Sequence, residues 1–237
     1  MEENCGMEKA RASDKAWAPE KNQNTKTQFD IVYENEEILI INKKAGISVQ
    51  GGKDVAHPLD KELPLQTGYP VYLVHRLDKE TSGLLIVAKS PLAAAKWTKL
   101  IERKLVTKEY TALCLGTLSK KKGIIRTNVV QHGNEKSAVT HYNVIEEKEP
   151  EFEGQTYQIS KVHLLLETGR MHQIRIHLSQ QGTPILGDDK HGNFKINKIF
   201  KKAFKVKNLL LCASKLSFPV NGKNFILQIE EPDYFAF

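Results

Sequence analysis

Three cysteines in 237 residues, Cys5, Cys114 and Cys212, are too few and too scattered for a disulfide framework, and they fit a reducing compartment. The chain has no Cys-x-x-Cys pair and no glycine-rich phosphate loop. Its eight histidines form no convincing ligand set. His172 and His177 are five apart, whereas helix zinc sites place two histidines four apart on one face. No metal and no nucleotide cofactor is therefore expected. No apolar run approaches the roughly 18 residues of a membrane span. The N-terminus is polar and mixed in charge, unlike a signal peptide. A cytoplasmic protein without membrane attachment is the expectation, with a monomer as the default. No internal repeat or low-complexity tract is present.

What the chain does have is basic charge. Lysine and arginine number 35 against 28 acids, a net charge of +7. That balance suits a polyanionic partner without proving one. With 40% hydrophobic residues, the chain can bury a sizeable core as one large domain or two small ones.

Residues 1 to about 28 are polar, without apolar periodicity, and read as a mobile tail. A hairpin is predicted next, with strands Phe29-Asp30-Ile31-Val32-Tyr33 and Ile38-Leu39-Ile40-Ile41. From Gly51-Gly52 to about Gly68 the pattern is that of a loop region. Ser90 is a good N-cap and Pro91 suits a first helical position, so a helix is predicted, with Ala93, Trp97, Leu100 and Ile101 on one face. Strands are predicted near 107–115, 123–130, 138–146 and 156–167. Thr168 is placed as the cap of a helix running to about Gln181 and ended by Gly182. Ile196, Ile199, Phe200, Ala203 and Phe204 form another helical stripe, and its other positions carry six lysines, including Lys198, Lys201 and Lys202. Asn221-Gly222 marks a hairpin turn between terminal strands. Strands outnumber helices, which predicts an α+β fold with a mixed, mostly antiparallel sheet.

The most informative stretch is His75-Arg76-Leu77-Asp78-Lys79-Glu80-Thr81-Ser82-Gly83. Short apolar runs, Val71-Tyr72-Leu73-Val74 and Leu84-Leu85-Ile86-Val87-Ala88, flank it and read as buried strands. The polar segment is then a loop at a sheet edge, a frequent place for function, though the spacing alone equally describes an ordinary polar turn.

His75-Arg76-Leu77-Asp78-x-x-Thr81-Ser82-Gly83 resembles the signature of the RluA-type pseudouridine synthases, with Asp78 in the place of the catalytic aspartate. Four further segments resemble the family's motifs in the right order. They are Asn42-Lys43-Lys44-Ala45-Gly46, Lys108-Glu109-Tyr110-Thr111-Ala112, Thr168-Gly169-Arg170-Met171-His172-Gln173-Ile174-Arg175-Ile176-His177, and Pro184-Ile185-Leu186-Gly187-Asp188 with Lys190-His191-Gly192. The resemblance spans about Phe29 to Phe237. Three positions depart from it: Lys44 replaces the usual Pro, and Gln50 and Cys212 stand where His is common. It implies one catalytic domain over 29–237 with the pseudouridine synthase fold. It also implies that the preceding tail is too short for the RNA-binding domain many relatives carry, which shifts RNA binding onto the catalytic domain.

The implied reaction is isomerisation of uridine to pseudouridine within RNA. The bond from ribose to N1 of uracil breaks and the base rejoins the sugar through C5, with no redox change and no cofactor. By resemblance, Asp78, Tyr110 and Arg175 are catalytic, with Arg175 keeping Asp78 ionised and Tyr110 packing on the target base. A uracil in structured RNA must be flipped out to reach a buried carboxylate. Arg76 resembles the residue that fills the vacated space; its plainer reading is a surface salt bridge. His75, Thr81, Arg170, His172, Gln173 and Leu211 are further substrate-binding candidates, Leu211 being equally readable as plain core. Lys198, Lys201 and Lys202 are candidate phosphate contacts or simply a solvated helix face, and Lys120-Lys121-Lys122 is a second basic cluster, read as a turn. Ribosomal RNA of the large subunit is the favoured substrate, with transfer RNA as an alternative. Competing classes are a catalytically silent RNA-binding or assembly protein, and a hydrolase pairing Asp78 with Asp188 or Asp189.

Overall fold

A computed structural model describes residues 27–52, 55–131 and 133–236. The expected tail lies outside these residues except for its last two. In chain order the elements are β1 (Asp30–Glu34), β2 (Ile38–Lys43), α1 (Leu59–Thr67), β3 (Tyr72–Leu73), β4 (Ser82–Ala88), α2 (Pro91–Glu102), β5 (Thr107–Leu115), β6 (Lys122–Gln131), β7 (Asn134–Lys148), β8 (Glu151–Phe152), β9 (Gln155–Thr156), β10 (Ile159–Leu166), α3 (Gln173–Gln180), α4 (Phe194–Ala203), β11 (Leu211–Val220) and β12 (Lys223–Gln228). A 3-10 turn at Asp233–Phe235 follows.

Ten strands form one sheet in the order β1-β2-β4-β11-β5-β10-β7-β6, with β3 paired to β4 and β12 to β11. All described pairings are antiparallel except β4 with β11, which aligns Cys212 with Ser82 and Ala213 with Gly83. The architecture is therefore α+β with a mixed, mostly antiparallel sheet.

Side-chain alternation along the strands divides the core in two. Leu39, Ile41, Leu85 and Val87 point to one face and Ile38, Ile40, Leu84, Ile86 and Ala88 to the other. Because both faces are covered, β4 is buried along its whole length, and its sequence is a near-continuous apolar run rather than an alternating one. Helix α2 covers the second face through Ala93 and Trp97. The first face is covered by Leu59 and Leu63 of α1, Ile174 and Leu178 of α3, and Phe200 of α4. Ser90 caps α2 as its spacing predicts, its side chain accepting from the Ala93 N–H at 3.1 Å.

Three expectations need correction. The region expected to be loop up to Gly68 contains α1. Pro58 and Pro64 argue against a helix there, yet Leu59 and Leu63, four apart, are fully buried, and Gly68 ends the helix in the left-handed conformation (φ 77°). Thr168 does not cap α3. Its Oγ donates to Gln173 Oε1 (2.8 Å) and accepts from the Val139 N–H (2.9 Å), so residues 168–172 remain a loop tied to β7. The helix begins only after His172, itself left-handed at φ 54°. The region of the strand predicted at 156–167 is divided: Thr156 ends the small β8–β9 hairpin and β10 begins at Ile159.

Candidate active site

The edge of β4 facing away from β2 is shared by two partners. β3 pairs with Val87 and Ala88, and β11 with Ser82 and Gly83. The loop 74–81 leaves the sheet in the gap between them. His75 fills that gap: its Nε2 accepts the Ile86 N–H at 3.0 Å. Burial pushes the His75 pKa down to about 3, so the ring is neutral and serves as a strand surrogate. Lys43, also buried, anchors the far end of the loop. Its Nζ donates to the carbonyls of Lys44, Ile47 and Lys79 at 3.0–3.1 Å, and the Gly46 N–H reaches Lys79 O at 2.8 Å. Burial lowers the Lys43 pKa to about 8 against the opposing pull of Glu80 and Asp78. The turn closes through the Thr81 N–H to Asp78 O (3.1 Å), and Thr81 itself is buried.

This rigid loop presents Asp78 to a cleft of about 980 Å³. Asp78 Oδ2 lies 3.5 Å from Arg175 Nη1 and 3.9 Å from His172 Nε2. Arg175, on the first turn of α3, is almost wholly buried. Its Nε and Nη2 donate to the two oxygens of buried Asp188 at 2.8 and 2.7 Å, and Nη2 also reaches Asp189 at 3.2 Å. Nη1 makes no hydrogen bond to a described residue and faces Asp78 and Glu80, each at 3.5 Å. Burial alone would lower the Arg175 pKa, but the hydrogen bonds and charge of Asp188, helped by Asp78 and Glu80, raise it above the usual value. Asp188 answers in kind. Burial pushes it up, yet Arg175 and the N–H groups of His191 and Lys190 hold it below the usual carboxylate range. The guanidinium is thus locked in charge and orientation, with one edge left to meet Asp78.

Tyr110, on β5, lines the same cleft and is buried. Burial, with Asp78 close by, raises its pKa and keeps the phenol protonated. Leu211 forms a neighbouring apolar wall. Arg76 lines the cleft, is exposed, and joins no ion pair among the described residues. The loop before α3 supplies Arg170, whose Nε donates to Ser137 O at 3.3 Å, and His172, whose Nδ1 contacts His191 Nε2 at 2.9 Å. Gln173 also lines the cleft, but its amide is spent within the protein: Oε1 accepts from Arg170 N–H and Thr168, and Nε2 donates to Val139 O and Thr140. It shapes the loop rather than offering free donors.

The cleft thus gathers Asp78, Tyr110, Arg175, Arg76, His75, Thr81, Arg170, His172, Gln173 and Leu211. Lys198, Lys201 and Lys202 are exposed on α4 and do not line it; Lys202 pairs with Glu153 at 2.9 Å. Lys121 pairs with Glu147, away from the cleft. By sequence, Asp188 and Asp189 are both candidates for a second acid. Asp188 is instead fully engaged by Arg175 and backbone N–H groups, whereas Asp189 is mostly exposed and meets Arg175 through one oxygen at 3.2 Å. Lys43 and Glu80 were missed as site-shaping charges. Their signal was position alone, Glu80 within the signature loop and Lys43 in the Asn42-Lys43-Lys44-Ala45-Gly46 segment. Among the described residues no cluster of His, Cys, Asp and Glu is arranged to hold a metal, and no helix is long and apolar enough to cross a membrane.

Residues 37–180 match a family model described as RNA pseudouridylate synthase. The chain is 35% identical over 219 residues to ribosomal large subunit pseudouridine synthase C of Rickettsia bellii, covering 86% of this chain and 69% of that protein. It is 34% identical over 194 residues to synthase D of Yersinia pestis, covering 76% and 56%. The fold resembles that of human RNA pseudouridylate synthase domain containing 1, with TM-score 0.70, 25% identity and coverage of 95% and 87%. Human RNA pseudouridylate synthase domain containing 4 gives TM-score 0.67 at 26% identity, covering 87% and 90%. A motif series read in order along the chain, a cleft that brings those motifs together and relatives matched over most of their length lead to one assignment: the chain belongs to the RNA pseudouridylate synthase family and is an isomerase that makes pseudouridine in RNA.

Proposed function

We propose that this enzyme acts on large-subunit ribosomal RNA, with Asp78 as the catalytic aspartate of a single domain spanning 29–237 and working as a monomer in the cytoplasm. The observation that carries the assignment is the placement of Asp78: it faces a cleft, with a charge-locked Arg175 at 3.5 Å. A carboxylate that must react as an anion in a half-buried site needs such a partner. The names of the relatives support the choice of ribosomal RNA.

In this reading the target uridine leaves its stack and enters the cleft. Arg76, exposed and without an ion-pair partner among the described residues, takes the vacated place in the RNA. The uracil packs between Tyr110 and Leu211. The N1–C1′ bond breaks, the base turns, and a C5–C1′ bond forms. The proton on C5 is lost and N1 gains one, so atoms and charge balance without a cofactor. Asp78 serves the bond-breaking step, Arg175 faces and orients it at 3.5 Å, and Tyr110 stays a neutral phenol against the base.

The test is pseudouridine mapping of total RNA from cells with and without the gene, complemented by the intact gene or by Asp78→Asn. The expected result is a large-subunit site lost on deletion and restored only by the intact gene. Restoration by Asp78→Asn would overturn the catalytic assignment. A lost site in transfer RNA would move the substrate and leave the chemistry in place.

A further inference from the structure

Lys108 sits two residues before Tyr110 on β5, so strand alternation directs both side chains to the cleft. Glu109 between them points the other way, where His163 (2.7 Å) and Lys215 (2.9 Å) satisfy it. Lys108 is partly buried, and neither ion pair nor hydrogen bond joins its Nζ to any described residue. Cations of similar burial elsewhere in the fold are matched. Lys43 has three carbonyls, Lys89 has Glu34 at 2.7 Å, and Lys161 has Glu231 at 3.2 Å. The carboxylate in the cleft, Asp78, is already faced by Arg175.

Burial lowers the Lys108 pKa, with no charge among the described residues to oppose it. A half-buried ammonium without a counter-charge carries part of the desolvation cost, and a fold that needed only packing there would do better with an apolar side chain. The space around Nζ is kept open as well. Gly169 lies beside it, where a Cβ would stand at an ordinary contact distance of 3.7 Å, so no side chain packs on the ammonium from that position.

We propose that Lys108 is the phosphate receptor of the cleft, binding the backbone phosphate adjoining the flipped uridine. Uracil and ribose are neutral, so phosphate is the one anion an RNA strand brings into this cleft. The ammonium then fixes the nucleotide's backbone while Tyr110, on the same strand face, meets its base. This rests on the reading of the cleft given above. It adds a receptor distinct from Arg76 at the surface and from the α4 lysines.

The test compares wild type, Lys108→Met, Lys108→Arg and Asp78→Asn on large-subunit ribosomal RNA from the deletion strain, or on whichever RNA fraction of that strain the wild type modifies. Lys108→Met should raise KM about tenfold or more, with a smaller fall in kcat. It should also reduce the salt slope of RNA binding by about one phosphate contact, roughly 0.7–0.9 in log–log units. Its melting temperature should be unchanged or higher, because a half-buried charge without a protein partner among the described residues is removed. Lys108→Arg should recover most of the KM. Unchanged KM and salt slope would overturn the proposal. So would a lower melting temperature with kcat lost and no rescue by arginine, since that describes a structural lysine. Asp78→Asn separates the two claims: if it keeps turnover, the catalytic assignment fails whatever Lys108 does.

Discussion

Arg175 meets Asp78 through one edge, while its other edge is held by Asp188. Removing that second carboxylate strands a buried guanidinium. Asp188→Ala should therefore lower stability by about 3–5 kcal/mol in urea denaturation. A loss under 1 kcal/mol would mean that Asp189, Glu80 and Asp78 hold the charge without it. Arg175→Lys should cost activity more than stability, because a single ammonium cannot engage Asp188 through two nitrogens and face Asp78 as well. His75 makes a pH prediction. Its folded pKa of about 3 lies below the ordinary 6.5. Its contribution is thus fully present above pH 6.5 and is lost as pH falls from there toward 3. Burial lowers His172, His177 and His191 in the same direction. Stability measured by denaturation should decline below pH 6.5, and flat stability down to pH 5 would contradict neutral buried imidazoles. At this scale Asp78, Arg76 and Thr81 were legible because they share one contiguous loop. The grip of Asp188 on Arg175 was not, since a spacing of thirteen residues says nothing until the chain folds back.

The elements meet at the parallel contact of β4 with β11, which joins the N-terminal strands to the rest of the sheet. Gly83 makes this contact possible. It has φ 106°, and a Cβ there would lie 2.3 Å from Ala213 O. Gly83→Ala should leave little soluble, cooperatively folding protein, or lower the melting temperature by many degrees; a near-wild-type melt would show that β11 shifts freely. The hairpin β1–β2, the buried strand β4, helix α2 and the turn at Asn221-Gly222 were legible from local chemistry: alternation or apolar runs, a Ser-Pro cap, and paired left-handed residues at φ 49° and 77°. Helix α1 was not, because two prolines mask a pair of leucines whose burial depends on distant strands. The late start of α3 was hidden too. Thr168 is a plausible cap by sequence, and only β7, arriving alongside, diverts its hydroxyl to Val139 and Gln173.

For the molecule as a whole, the net charge of +7 predicts salt-sensitive RNA binding, and the cleft and α4 offer two distinct places for it. Replacing Lys198, Lys201 and Lys202 together by glutamine should reduce the salt slope by up to about 2–3 with kcat held, since none of them lines the cleft. An unchanged slope would confine the phosphate contacts to the cleft. Composition pointed to a polyanionic partner but could not say which surface meets it, because charge counts carry no positions. The central claim is that Asp78, in this cleft, converts uridine in large-subunit ribosomal RNA. The most direct test incubates purified wild type and Asp78→Asn with that RNA from the deletion strain, then counts pseudouridine at single-nucleotide resolution alongside RNA affinity. The account predicts a stoichiometric site with the wild type, none with Asp78→Asn, and similar affinity for both. Pseudouridine formed by the Asp78→Asn enzyme would contradict it.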